Sequence, residues 1–228
     1  MAIQLDGIRT IVFDLDDTLY AERDFAYSGF DAVGRWLKER MACPVDPATR
    51  MRQLFETGNR RRVFDELLLE LRCPDVARMV PAMIECYRNH FPVIKLMPDA
   101  ERALARWSGS FFLGLISDGP LRTQQQKVQA LDLERRLNRV ILTDEWGPAY
   151  WKPHPRAFEI MERESGQSGS ACVYIADNPA KDFVAPNSLG WRTVRIRRPG
   201  GVYADMSPPP GGCEQFQVQS LDEVDIRF

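Results

Sequence analysis

A doubly wound, Rossmann-like α/β fold with a parallel sheet, interrupted after its first core strand by an inserted all-α domain, is what this 228-residue sequence predicts. Three observations predict it. Short continuous apolar runs recur, several of them ending in a small or acidic residue, as strands buried on both faces do. Helical patterns alternate with the later runs. The stretch 21–97 breaks that alternation and carries amphipathic helical pieces with no convincing strand.

In chain order, residues 8–13 form the first core strand and lead into Asp14. The insertion follows with three apolar stripes: Phe30, Val33, Trp36 and Leu37; then Val63, Phe64, Leu67, Leu68 and Leu71; then residues 76–90, with Pro81 near the start or at a kink. Asp99 is placed to cap a helix through Trp107 that carries Ala100, Ala103 and Leu104. Residues 111–116 run into Ser117, and 139–143 into Asp144. Pro155 opens a helix with Ala157, Phe158, Ile160 and Met161 on one side, and Gly166 stops it. Residues 171–176 run into Asp177, a shorter helix covers 180–189 and ends at Gly190, and 193–196 make a further strand. The Pro- and Gly-rich piece 198–212 reads as a surface loop, and Ser220 caps a last helical turn. The expected domains are a discontinuous core, 1–20 with 97–228, and a helical cap, 21–96.

Composition excludes several classes. The chain is 44% hydrophobic and 27% charged, which is neither disordered nor fibrous. With 30 Lys+Arg against 32 Asp+Glu, the charge balance gives no reason to bind nucleic acid or an anionic membrane. No apolar run approaches the ~20 residues of a membrane span. The start MAIQLDGIRT lacks the basic and apolar regions of a secretory signal, so a cytoplasmic location is expected. The oligomeric state is left open. Cys43, Cys73, Cys86, Cys172 and Cys213 are odd in number and scattered, and His90 and His154 lie far apart. A disulfide framework, a structural zinc site and Ser-His or Cys-His catalysis are therefore disfavoured. Any chemistry falls to carboxylates.

Strand ends supply them. Asp14 and Asp16, two apart on an extended chain, face the same way. That is costly unless a cation or proton sits between them, and Mg²⁺, which prefers oxygen ligands, removes the cost. Ser117, Asp118 and Gly119 offer a hydroxyl and close-approaching backbone N–H groups to a phosphate oxygen. Lys152, held by the prolines of Lys152-Pro153-His154-Pro155 before a helix start, can neutralise a phosphoryl group. Asp177, with Asp182 five residues on, offers another metal ligand and a carboxylate to orient it. Each feature alone is an ordinary turn or helix cap. Together, gathered at the carboxyl edge of one sheet, they equip a site for phosphoryl transfer.

With VFDLDDT, LISDG, WKPHP and YIADNPAKD in that order, the chain resembles the haloacid dehalogenase-like superfamily along essentially its whole length. The resemblance implies Asp14 as nucleophile, becoming a transient aspartyl phosphate, and Asp16 as acid toward the leaving alcohol and then base toward water. It implies Ser117 and Lys152 holding the phosphoryl group. Mg²⁺ would be bound by Asp14, the Asp16 carbonyl and Asp177, with Asp182 behind them. An aspartate at position 16 implies a phosphatase or a phosphomutase, the former preferred, and the insertion matches the superfamily's helical cap of the first type. Ala176 stands where many members carry glycine. The stretch around DNPAKDFVAPNSLGWRTVRI is similar to members acting in sugar metabolism, including acylneuraminate phosphate phosphatases, with pyrimidine 5′-nucleotidases the nearest rival. The expected partner is thus a small phosphorylated metabolite. For its recognition the cap offers Arg60, Arg61 and Arg62, and the entry to the cap Tyr20, Arg23, Phe25 and Tyr27, all of which also suit plain surface or packing roles. Outside hydrolysis, a receiver-like phospho-acceptor uses similar groups, but in a shorter chain whose acceptor comes later. A silent binding protein on this fold is the third possibility.

Overall fold

The computed structural model describes residues 2–58, 60–203 and 205–228. They divide into two units, Met1–Glu22 with Lys95–Phe228, and Arg23–Ile94. In chain order the strands are β1 (Ile3–Leu5), β2 (Thr10–Phe13), β3 (Phe112–Ser117), β4 (Arg139–Leu142), β5 (Cys172–Ala176), β6 (Arg192–Ile196), β7 (Phe216–Val218) and β8 (Val224–Ile226). The helices are α1 (Glu22–Lys38), α2 (Pro47–Glu56), α3 (Val63–Glu70), α4 (Val76–Asn89), α5 (Pro98–Trp107), α6 (Leu121–Ala130), α7 (Arg156–Ser165) and α8 (Val184–Ser188).

The first unit is built on a six-stranded parallel sheet in the order β4-β3-β2-β5-β6-β7. Every residue of β2 and of β5 is buried, as their uninterrupted apolar runs require. Val12, Ile116, Ile141, Tyr174 and Trp191 meet Phe158 and Met161 of α7 in one core. Gly114 makes this approach possible, because a Cβ there would lie 2.7 Å from the Met161 side chain. The register puts Phe13 beside Leu115 and Ile175, so β2, β3 and β5 end at one edge, and Asp14, Ser117 and Asp177 emerge there. Helix α7 opens after Pro155 and stops at Gly166 in the left-handed conformation.

Several elements differ from the sequence reading. β1 and β8 pair in a separate two-stranded parallel sheet, and β7 extends the main sheet; each has three residues, too few for a periodic signal. α2 and α6 were not foreseen either. The buried face of α6 carries Thr123, Gln124 and Lys127 beside Val128, so it shows no apolar stripe. α8 is shorter than residues 180–189, because the turn before it is fixed by Asp182, whose Oδ2 accepts the Asn178 amide at 3.0 Å. Ser220 does cap its turn, in a reciprocal capping box with Glu223.

Asp99 is not the cap of α5. Met97 holds that position, Pro98 opens the helix, and Asp99 lies inside the first turn, where its Oδ1 accepts the Ala100 amide at 3.0 Å. Its Oδ2 accepts from Arg198 at 2.9 Å, Ser220 Oγ at 2.9 Å and the Leu221 amide at 2.8 Å, joining three distant stretches. Burial pushes the Asp99 carboxyl up, but Arg198 and the Leu221 amide outweigh it and hold the group below the usual carboxylate range. Asp99→Ala should cost about 2–4 kcal/mol, since the half-buried Arg198 and the Leu221 amide lose their acceptor. A depressed native pKa gives stability that is present above the unfolded value and lost as pH falls through the native one. Urea unfolding should accordingly show a gap between wild type and Asp99→Ala at pH 7 that narrows below about pH 4; a gap unchanged at pH 3 would contradict the ionised role.

The second unit buries the apolar faces of α1 to α4 around Phe30, Val33, Leu37, Met51, Leu67 and Met83. α4 runs through Pro81 within its first two turns. Among the described residues no helix is long and apolar enough to cross a membrane.

Candidate active site

Asp14, the first residue past β2, is fixed by its amide, which donates to the Ile175 carbonyl at 2.9 Å. Lys152 reaches it from the loop before α7. Its ammonium donates to Asp14 Oδ1 at 2.5 Å and to the Tyr174 hydroxyl at 2.9 Å, and lies 2.8 Å from Asp182 Oδ1. The side chains of Lys152 and Asp182 are wholly buried. Ser117, the last residue of β3, donates its hydroxyl to Gln124 Oε1 at 3.2 Å. Asp118 looks elsewhere: its carboxylate accepts from Thr143 Oγ1 at 2.8 Å, the Lys152 amide at 3.1 Å and Lys181 Nζ at 2.6 Å. Its side chain therefore braces the loop carrying Lys152. Gly119, at φ 120°, adopts a conformation that side chains rarely take, with Gln124 packed against it.

The two acids of the first motif do not share a partner. Asp17, at φ 50°, turns the chain sharply and accepts the Glu22 and Val202 amides. Asp16 is thereby aimed at Lys127 of α6, whose ammonium donates to Oδ1 at 2.7 Å and Oδ2 at 2.9 Å, while the Tyr20 hydroxyl also donates to Oδ1. The repulsion expected between Asp14 and Asp16 is relieved by two separate lysines.

One oxygen each from Asp14, Asp177 and Asp182 lies within 4.8 Å of the others. Asp182 thus joins the acid cluster directly, where the sequence reading put it behind the ligands, whereas the Asp16 carboxylate is directed to Lys127. Burial pushes the Asp14 carboxyl up to about 6 despite Lys152, with Asp182 adding to the rise. Burial and the charges of Asp14, Asp182 and Asp17 drive Asp177 well above the usual range. Asp16 runs the other way: burial raises it, but Lys127 and Tyr20 outweigh that and bring it below its ordinary value. Three close, buried carboxylates against one lysine ammonium leave surplus negative charge on hard oxygen donors. That donor set fits Mg²⁺.

Sequence reasoning missed Lys127, Gln124, Lys181 and Tyr203. The first two sit on α6, where a buried face of polar residues was the available signal. Tyr203 comes from the loop 198–212; burial, then the charges of Glu22, Asp177, Asp16 and Asp182, push its hydroxyl up to about 12. Several of the residues weighed for substrate contact pack within the helical unit. Tyr27 donates to Glu56 and lies beneath Arg23 and Arg52; Arg60 covers Phe55; Phe25 packs on Tyr87 and His90. Arg60, Arg61 and Arg62 are exposed, and Tyr20 is buried against Asp16.

A family model for haloacid dehalogenase-like hydrolases matches residues 8–190, from β2 past the acid cluster. The chain is a haloacid dehalogenase-like hydrolase. It is similar to the glyceraldehyde 3-phosphate phosphatase of Methanopyrus kandleri, 29% identical over 88% of each chain. The enzyme of that name from Methanocaldococcus jannaschii is 27% identical over 96% of each. In fold the hydrolase resembles the magnesium-bound HAD-hydrolase YfnB of Bacillus subtilis, with a TM-score of 0.65 at 18% identity, over 95% of this chain and 96% of that one.

Proposed function

We propose that this hydrolase releases phosphate from a small phosphate monoester, a sugar phosphate foremost, through an aspartyl phosphate on Asp14 with Mg²⁺ as cofactor. The observation that carries the reading is the division between the two acids: Asp14 buried against Lys152, Asp16 held on Lys127. A buried carboxylate beside a lysine suits a nucleophile, and a partly exposed one suits proton transfer at a leaving oxygen. The names of the relatives support the substrate class.

In this reading Asp16 takes up a proton from solvent as the anionic substrate binds, an Asp14 oxygen attacks phosphorus, the phosphorus–oxygen ester bond breaks, and the leaving oxygen takes that proton from Asp16. A water then attacks the aspartyl phosphate, giving its proton to Asp16 and regenerating Asp14. Lys152 and the Ser117 hydroxyl bind the transferring phosphoryl oxygens, with the Asp118 and Gly119 amides beside them. Asp14, Asp177, Asp182 and the Asp16 carbonyl would hold Mg²⁺, which supplies charge neutralisation between the anionic nucleophile and the anionic phosphate. The helical unit Arg23–Ile94 serves as the cap. The test is a panel of sugar phosphates, triose phosphates and nucleoside monophosphates with released phosphate as readout. Continuous turnover with a preference for sugar or triose phosphates is expected. A preference for pyrimidine nucleotides would move the substrate class, and a single phosphoryl uptake without release would overturn hydrolysis.

A further inference from the structure

Lys127 lies outside the four motifs, on a helix whose exposed face is glutamine-rich, yet it is buried and its ammonium contacts both oxygens of Asp16. Burying an ammonium is expensive unless it is well paired. Its partner is the acid with a quarter of its side chain exposed, whereas the side chains of Asp14 and Asp182 are 9% and 0% exposed. Two contacts at 2.7 and 2.9 Å, with the Tyr20 hydroxyl also on Oδ1, restrict rotation of the carboxylate and fix the direction in which Oδ2 can exchange a proton. Gln124, one turn earlier on α6, meets Ser117, so a single helix supports both the phosphate-side hydroxyl and the leaving-group-side acid.

We propose that Lys127 is a positioning residue of this hydrolase: it orients the Asp16 carboxylate toward the leaving oxygen, and so sets how well the enzyme expels poor, alkoxide leaving groups. This deepens the reading of Asp16 given above and rests on it. Lys127 touches no reacting atom and acts through Asp16. A lysine serving only the fold would instead affect all substrates alike.

The experiment compares wild type, Lys127→Met, Lys127→Arg, Asp16→Asn and the double variant Asp16→Asn/Lys127→Met, all with Mg²⁺. The substrates are p-nitrophenyl phosphate, whose leaving group needs little protonation, and the alkyl phosphate of the panel above that wild type turns over fastest. Lys127→Met should lower kcat on the alkyl phosphate roughly 10–100-fold, a share of the ~10²–10⁴-fold that a positioned acid supplies. On the aryl phosphate the loss should be less than about 3-fold, with KM nearly constant on both. Lys127→Arg should recover part of the alkyl rate, and the double variant should be no slower than Asp16→Asn alone. Equal losses on both substrates, an unchanged alkyl rate, or multiplying losses in the double variant would overturn the role of Lys127. If Lys127→Met fails to fold, Lys127→Arg decides by the same alkyl-against-aryl ratio. An Asp16→Asn enzyme that slows both substrates equally overturns the acid–base reading itself, and this proposal with it. Discrimination by Asp16→Asn without discrimination by the Lys127 variants removes only the latter.

Discussion

Asp14→Asn should abolish phosphate release from every substrate, including activated aryl phosphates, by roughly 10⁴-fold or more. Asparagine keeps the shape of the side chain, and Lys152 retains Asp182 at 2.8 Å and the Tyr174 hydroxyl, so the buried cluster stays paired. Circular dichroism and the urea midpoint should therefore stay near wild type while turnover vanishes. The loss comes from the covalent step: an amide oxygen has neither the charge nor the basicity to displace an alkoxide from phosphorus. Acid-quenched wild type should retain phosphate on the protein, and the variant should retain none. Residual turnover within tenfold of wild type would take the nucleophile role from Asp14.

Removal of divalent cation should have an effect of similar size, visible without substrate. EDTA should stop turnover, and Mg²⁺ should restore it. Mg²⁺ at about 100-fold over its Kd should also raise Tm by roughly 5–10 °C, because a ligand bound only by the native state adds ~2.7 kcal/mol. The sign of the pH dependence in chelator follows from Asp14, whose carboxyl is raised from 3.8 to about 6 by burial. A raised acid binds more protons folded than unfolded, so its contribution is greatest at low pH and falls as pH rises from about 4 past 6. Asp177 adds in the same direction. Mg²⁺ should cancel that decline, and Asp177→Asn should lose most of the Mg²⁺-induced shift. Full activity in chelator, or a Tm indifferent to Mg²⁺, would contradict the metal assignment.

The two acids show how different distances in sequence become legible. The five core strands could be read directly, because strands in a covered parallel sheet are largely apolar, even where β6 carries Thr193 and Arg195. The strand-end acids followed, since a parallel sheet delivers every such end to one edge. β1, β7 and β8 escaped because three residues carry no period. α6 escaped because its inner face is polar for the sake of the site, which erases the signature by which helices are recognised.

By itself the amino-acid order determined the layered architecture and the inventory of chemical groups, both encoded in local pattern. Only the tertiary structure decided which cation serves which acid: Lys152 meets Asp14 across 138 positions, and Lys127 meets Asp16 across 111. Such pairings depend on strand order, register and the rotation of a helix about its axis, none of which leaves a trace in neighbouring residues. Electrostatic attraction also acts through space, indifferent to how far apart along the chain the charges were written.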